Sequence, residues 1–174
     1  MVKLWRLHIR PEGRDHRFST SFCLQNSFIG MGWPITKAEI TRSSDFDWYR
    51  RAADGEYGEG KWSSVWNLVQ SMREGDLVWF RDPHNCYYVA EVTGAWEYCS
   101  EGDHSAADIV NIRPARIVKV GLADSVPGKI VACFVPRRTL QTIASRDMLI
   151  FTQHLLGLPT ETTESSDGPR LSHR

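Results

Sequence analysis

Seven tryptophans, Trp5, Trp33, Trp48, Trp62, Trp66, Trp79 and Trp96, are the residues of this 174-residue chain with the most unusual chemistry to offer. A core of this size needs about two or three, and an indole is seldom fully buried because its N–H requires a partner. Some of the seven should therefore line a surface or a pocket. Trp5 alternates into a strand and Trp66 lies at the centre of a helical stripe, so both read as core. Trp33 follows Gly30-Met31-Gly32 and Trp96 follows Gly94, strand-exit positions where a large ring either completes the core or projects into a cleft. An aromatic wall suits a flat base, a methylammonium group or a methylated base edge.

Sequence signatures of catalysis are missing: there is no GxSxG, no GxxxxGK[ST], no strand-borne GxGxxG and no HExxH. Cys23, Cys86, Cys99 and Cys133 lack CxxC spacing and read as reduced core residues, and the six histidines are scattered. No metal and no cofactor is expected.

Formal net charge is zero, which argues against a histone-like binder of nucleic acid. The charges are nevertheless segregated. Residues 1–51 carry nine Lys/Arg against five acids, 113–147 carry seven against two, and 52–112 carry three against eleven. If the two basic segments meet in space they form one cationic face; otherwise these are ordinary solvated faces.

The stretch Lys61–Tyr98 organises the rest. Trp62, Val65, Trp66, Val69 and Met72 form the apolar stripe of an amphipathic helix that should stop at Gly75. Residues 76–81 and 87–92 read as strands of a hairpin turning at Asp82–Asn85. Upstream, Leu4–Ile9 reads as a strand with one buried face, Glu12–Ser19 as a basic loop, Phe22–Gln25 as a short strand, Ser27–Trp33 as another strand, and the residues after Ser43 or Ser44 as a capped helix to Ala53. Gly55, Gly58 and Gly60 mark a linker or a lid, with the linker favoured. Downstream, Ser100–Ala107 is a polar excursion, Pro114–Gly121 and Lys129–Val135 are strands, and helical spacing returns at Leu140–Ala144 and Met148–Leu155. The sum is an α+β fold with about six strands in a curved, barrel-like sheet and three or four helices. One domain should span residues 1–158, followed by a polar, disordered tail over 159–174. No apolar run is long enough for a membrane span, and the N-terminus is too charged for a signal peptide, so the expected location is cytoplasmic.

Several of these pieces resemble the PUA-like superfamily, in its EVE and YTH branches. The EVE-like piece is the central helix, with Asn67 and Met72 ahead of Gly75-Asp76 and a hydrophobic strand. The YTH-like pieces are Gly30–Trp33, Val89–Tyr98 and Lys119–Ile130, in that order, so that the resemblance covers most of residues 3–145. It implies a PUA-like fold and a non-enzymatic module that holds a modified nucleobase, such as a methylated one, flipped or single-stranded, in an aromatic cage. Some members serve modification-dependent restriction systems, which implies a nuclease or NTPase subunit as partner. Trp33 matches the first cage wall and Trp96 the second only approximately. Pro34 departs from the pattern, which has a small polar residue touching the base there.

The expected function is thus recognition of a modified base, in DNA before RNA, with no membrane involvement. Trp33 and Trp96 would sandwich the base, Ser63 and Asn67 would bond its edge, Trp62 and Tyr98 would complete the pocket, and Arg14, Arg17, Arg137 and Arg138 would hold phosphates. The rival expectations are a nucleotide- or nucleic-acid-processing enzyme on the same scaffold and a small-molecule or protein-interaction domain.

Overall fold

A computed structural model describes residues 1–10 and 15–160, so Arg14 and the tail beyond Thr160 lie outside the described residues. The hairpin expected at the centre is present. Strands β4 (Leu77–Arg81) and β5 (Tyr87–Val92) pair antiparallel. In the turn, Asp82 Oδ1 accepts from the amides of His84 and Cys86, both at 2.9 Å, and Asn85 takes the left-handed φ of 60° that Asn tolerates better than most residues.

Strand β1 (Leu4–Leu7) runs parallel to β4 and carries β8 (Leu140–Thr142) antiparallel on its other edge. Beyond β5 lies β7 (Asn111–Gly121), a long strand shared between neighbours. Its second half pairs with β5, while its first half is flanked by β2 (Phe28–Met31) and β6 (Glu97–Cys99). The two-residue β3 (Arg42–Ser43) closes the row on β6. The order is β3-β6-β7-β5-β4-β1-β8, with β2 branching from β7. Both fold class and mixed content are as expected, α+β, with eight strands and six helices among the described residues. The sheet is open, since no pairing joins β3 to β8 into a barrel.

Helices cover both faces. α1 (His16–Asn26), α2 (Phe46–Tyr57) and α3 (Ser63–Trp66), which runs on into a π-type turn at Asn67–Ser71, precede β4. α4 (Asp103–Ala107) sits before β7, and α5 (Gly128–Ala132) and α6 (Arg146–Leu155) flank β8. Alternation along the strands sorts the core in two. Trp5, Leu7, Val78, Phe80, Tyr88 and Ala90 face the larger cluster with α1–α3, while Leu4, Leu77, Trp79, Tyr87 and Val89 face Ile130, Phe134 and Leu156.

This arrangement corrects several expectations. β1 is buried on both faces, because α5 and α6 cover the side that was expected to be solvated. Phe22–Gln25 is helical: Asp15 caps α1 through Arg17 N at 2.9 Å, and Ser19, Phe22 and Cys23 recur at helical, not strand, spacing. Lys129–Val135 is the helix α5 and its exit, with Ile130 and Phe134 one turn apart on a buried stripe. Leu140–Thr142 is strand, captured by the open edge of β1. α2 is capped by Asp45, which accepts from Asp47 N and Trp48 N, while Ser43 Oγ accepts from Asp45 N. Gly75 does take φ +88°, but the chain has already left the helix at Met72.

The largest correction concerns the central stripe. The buried positions are Trp62 (3% exposed), just before α3, then Val65, Leu68 and Met72, so Trp66 (44% exposed), ahead of the π-type turn, faces outward. Trp62→Ala should therefore cost about 3–5 kcal/mol of stability, and Trp66→Ala no more than about 1 kcal/mol. Urea denaturation midpoints of the two variants measure this, and equal losses would contradict the assignment.

Candidate functional site

At the exit of β2 four successive residues have their backbones tied to side chains from elsewhere. Gly32 O accepts from Asn111 Nδ2 at 2.6 Å, Trp33 O from Tyr49 Oη at 2.9 Å, Pro34 O from Tyr57 Oη, and Ile35 N donates to Tyr98 Oη at 2.8 Å. The effect is to hold Trp33 at φ +67°, a left-handed conformation costing roughly 1–2 kcal/mol for a residue with a Cβ. Such an outlier persists only where the surroundings over-determine it. Burial raises the pKa of Tyr49, and that of Tyr57 to about 12, so both phenols remain protonated donors at neutral pH.

The chain approaches its neighbours closely here, which explains the two glycines before Trp33. A Cβ on Gly30 would lie 2.6 Å from Ile109 Cγ2 and 2.7 Å from Asn111 O, and one on Gly32 would lie 2.6 Å from Asp108 Oδ2. Asp108, itself at φ +54°, thereby brings its carboxylate against the backbone beside Trp33.

Beside this segment opens a cleft of about 360 Å³. The end of β1 contributes His8, Ile9 and Arg10; the exit of β2 contributes Gly30 to Pro34; Tyr57, Asp108, Ile109 and Thr139 complete it. Tyr57 meets Trp33 edge-on, with ring centroids 5.1 Å apart at 87°, so it braces the indole and does not form a second parallel wall.

His8 is buried, and burial holds its pKa down to about 4; Arg6, Arg10 and Arg81 act in the same direction against a hydrogen bond to Pro136. The carbonyl of Pro136 can only accept, so His8 Nε2, at 2.9 Å, carries the proton in the neutral ring. His8 N also donates to Thr139 O at 2.8 Å. Among the described residues no group of three His, Cys, Asp or Glu side chains is placed to hold a metal ion.

The proposed pocket residues separate into two places. Trp33 lines the cleft; Trp96, Trp62 and Tyr98 do not, and pack in the core with Phe46 and Tyr49. Trp96 (7% exposed) donates from Nε1 to Asn111 Oδ1 at 3.1 Å, and Trp62 to Asp54 at 2.7 Å. The sandwich of Trp33 and Trp96 is therefore not formed, because Asn111 stands between Trp96 and the strand exit. Ser63 is an exposed first residue of α3, and Asn67 accepts from Ser71 in the π-type turn, both outside the cleft.

The tally of basic residues overstated the cationic face. Arg6 and Arg113 are buried: Arg6 donates to the carbonyls of Cys133 and Arg138 and to Gln141, and Arg113 to those of Gly94, Leu68 and Met72. Arg17 pairs with Asp15, Arg42 with Glu97, Arg50 with Asp47 and Arg116 with Glu91. Arg137 and Arg138 are exposed on the segment that His8 tethers, between Pro136 and the cleft-lining Thr139. His8, Arg10, Tyr57 and Asp108 had no sequence signal as site residues; the Gly-Met-Gly-Trp exit did.

A family model described as a domain of unknown function, DUF8426, matches residues 5–116. The chain belongs to this DUF8426 family. The match takes in every cleft-lining residue except Thr139. Searches of curated proteins and of solved structures find no match. No helix among the described residues is long and apolar enough to cross a membrane.

The buried neutral His8 links stability to pH. Its folded pKa lies below the ordinary value of 6.5, so protons favour the unfolded chain: stability is full above pH 6.5 and falls as pH drops toward 4. His8→Gln keeps a donor for Pro136 O and should flatten that acid limb, measured as denaturation midpoint against pH. An unchanged limb would show that His8 is not the group responsible.

Proposed function

We propose that the chain is a non-enzymatic module that binds a nucleobase of a nucleic-acid strand in the cleft beside Trp33. The observation that carries this reading is the locked, strained placement of the Trp33 indole on a cleft with arginines at its rim. A preset aromatic wall gives stacking without an ordering cost, and about 360 Å³ accommodates a base with part of its sugar. Arg10 on the cleft and the exposed Arg137 and Arg138 supply cations for phosphates.

A modified base in DNA remains the favoured ligand, with the PUA-like resemblance around Gly30–Trp33 as its support. The cage is one-walled in this reading: Trp33 stacks one face of the base, and Ile9, Met31 and Ile109 offer apolar surface to a methyl group.

Affinity for oligonucleotides carrying N6-methyladenine or 5-methylcytosine, and for their unmodified counterparts, tests the proposal. Trp33→Ala should lower affinity by roughly 1–3 kcal/mol with little change in the unfolding midpoint, and more for the modified base than for the unmodified one. Wild-type affinity should also fall log-linearly with salt. A Trp33→Ala protein that binds the whole panel as wild type does would remove the base from this cleft.

A further inference from the structure

Immediately beside the cleft the chain exposes an apolar tip flanked by cations. Between α5 and β8, Val135 is 81% exposed, and Pro136, Arg137 and Arg138 follow it, all exposed. The exposure of Val135 is not a loose end of the fold. Phe134, just before it, is buried at 2% and packs edge-on against His8 and Tyr87. After it, Pro136 O accepts from His8 Nε2, Arg138 O from the buried Arg6, and Thr139 O from His8 N. Four anchors, at Phe134, Pro136, Arg138 and Thr139, thus hold the tip against Arg6 and His8, and His8 and Thr139 line the cleft.

We infer that Val135-Pro136 is a wedge that enters a nucleic-acid duplex at the step from which a base is drawn into the cleft, with Arg137 and Arg138 on the flanking phosphates. This rests on the cleft binding a base. A base inside a duplex reaches a protein pocket only by leaving the stack, which costs unstacking and unpairing. A rigid apolar side chain with adjacent arginines lowers that cost by filling the gap and neutralising the phosphates it spreads. A single-stranded ligand leaves no gap to fill, so the tip assigns the module to duplexes. Its composition fits this partner: two arginines follow the exposed Val135-Pro136, and the backbone carbonyls beneath it are consumed by Arg6 and His8.

The experiment compares Val135→Ser and Trp33→Ala with wild type on one oligonucleotide carrying N6-methyladenine or 5-methylcytosine, as a single strand and annealed to its complement. A duplex with 2-aminopurine at the target position reports unstacking by its fluorescence. Val135 is exposed, so its substitution leaves folding intact, which the denaturation midpoint checks. Val135→Ser should weaken duplex binding roughly tenfold, leave single-strand binding within about twofold, and reduce the 2-aminopurine enhancement. Duplex binding unchanged in Val135→Ser, or both ligands weakened alike, would overturn the wedge while a Trp33→Ala loss keeps the cleft. No loss with Trp33→Ala on either ligand would overturn the cleft reading, and the wedge with it.

Discussion

The side-chain amide of Asn111 joins the core to the cleft, and the geometry around Trp33 depends on it. Asn111 is wholly buried at the start of β7, paired to Met31 on one edge and Tyr98 on the other. Its amide orientation follows from its neighbours. The indole N–H of Trp96 can only donate, so Oδ1 faces it, and the carbonyl of Gly32 can only accept, so Nδ2 faces that. Nδ2 also reaches Tyr49 Oη at 3.2 Å, and Tyr49 holds the next carbonyl along, that of Trp33. In a low-dielectric interior such a chain is stiff because losing any member strands a buried polar group. Trp96 therefore acts on the cleft from behind, through Asn111, without touching what the cleft holds.

The sheet supplies the frame for that contact. β1 brings His8 to Arg10, β2 brings Gly30 to Pro34, and β7 follows directly on Asp108 and Ile109, so three strand ends converge where the helices leave a gap. Because the β1–β4–β5 part of the sheet is covered on both faces, these ends have little freedom to move. Buried arginines serve the same purpose. Arg113 collects the carbonyls of the π-type turn and of Gly94, and Arg6 those after α5, so each closes a chain segment that has no regular partner.

Much of this frame was legible in the sequence. The central hairpin, the turn at Asp82 and the close approach at Gly30 and Gly32 each follow from a local rule that the tertiary structure does not override. The failures share one cause. Phe22–Gln25, Lys129–Val135 and Leu140–Ala144 are short apolar runs whose period is ambiguous over four to seven residues, and partners distant in sequence decide them. Trp66 failed differently: it lies four residues after the buried Trp62, but the buried side continues through Val65, Leu68 and Met72, a choice of helix face that apolar spacing alone leaves open. The site was half legible. Trp33 stood out because glycines precede it, whereas His8 and Arg10, Tyr57, and Asp108 come from three separate segments that only the fold assembles. The sign of a segment's charge also proved a poor guide to its surface, since Arg6 and Arg113 are buried on carbonyls.

The account rests on Trp33 being the tryptophan that meets a ligand. Indole N–H resonances, followed by ¹H–¹⁵N correlation as a methylated oligonucleotide is added and assigned by Trp33→Phe, report on each ring separately. The indoles of Trp5, Trp62, Trp79 and Trp96 are bonded to Asp76, Asp54, Thr152 and Asn111 and should hold their positions, while that of Trp33 shifts with the titration. A shift at the exposed Trp66 with Trp33 unmoved would place binding on the α3 surface and contradict the account.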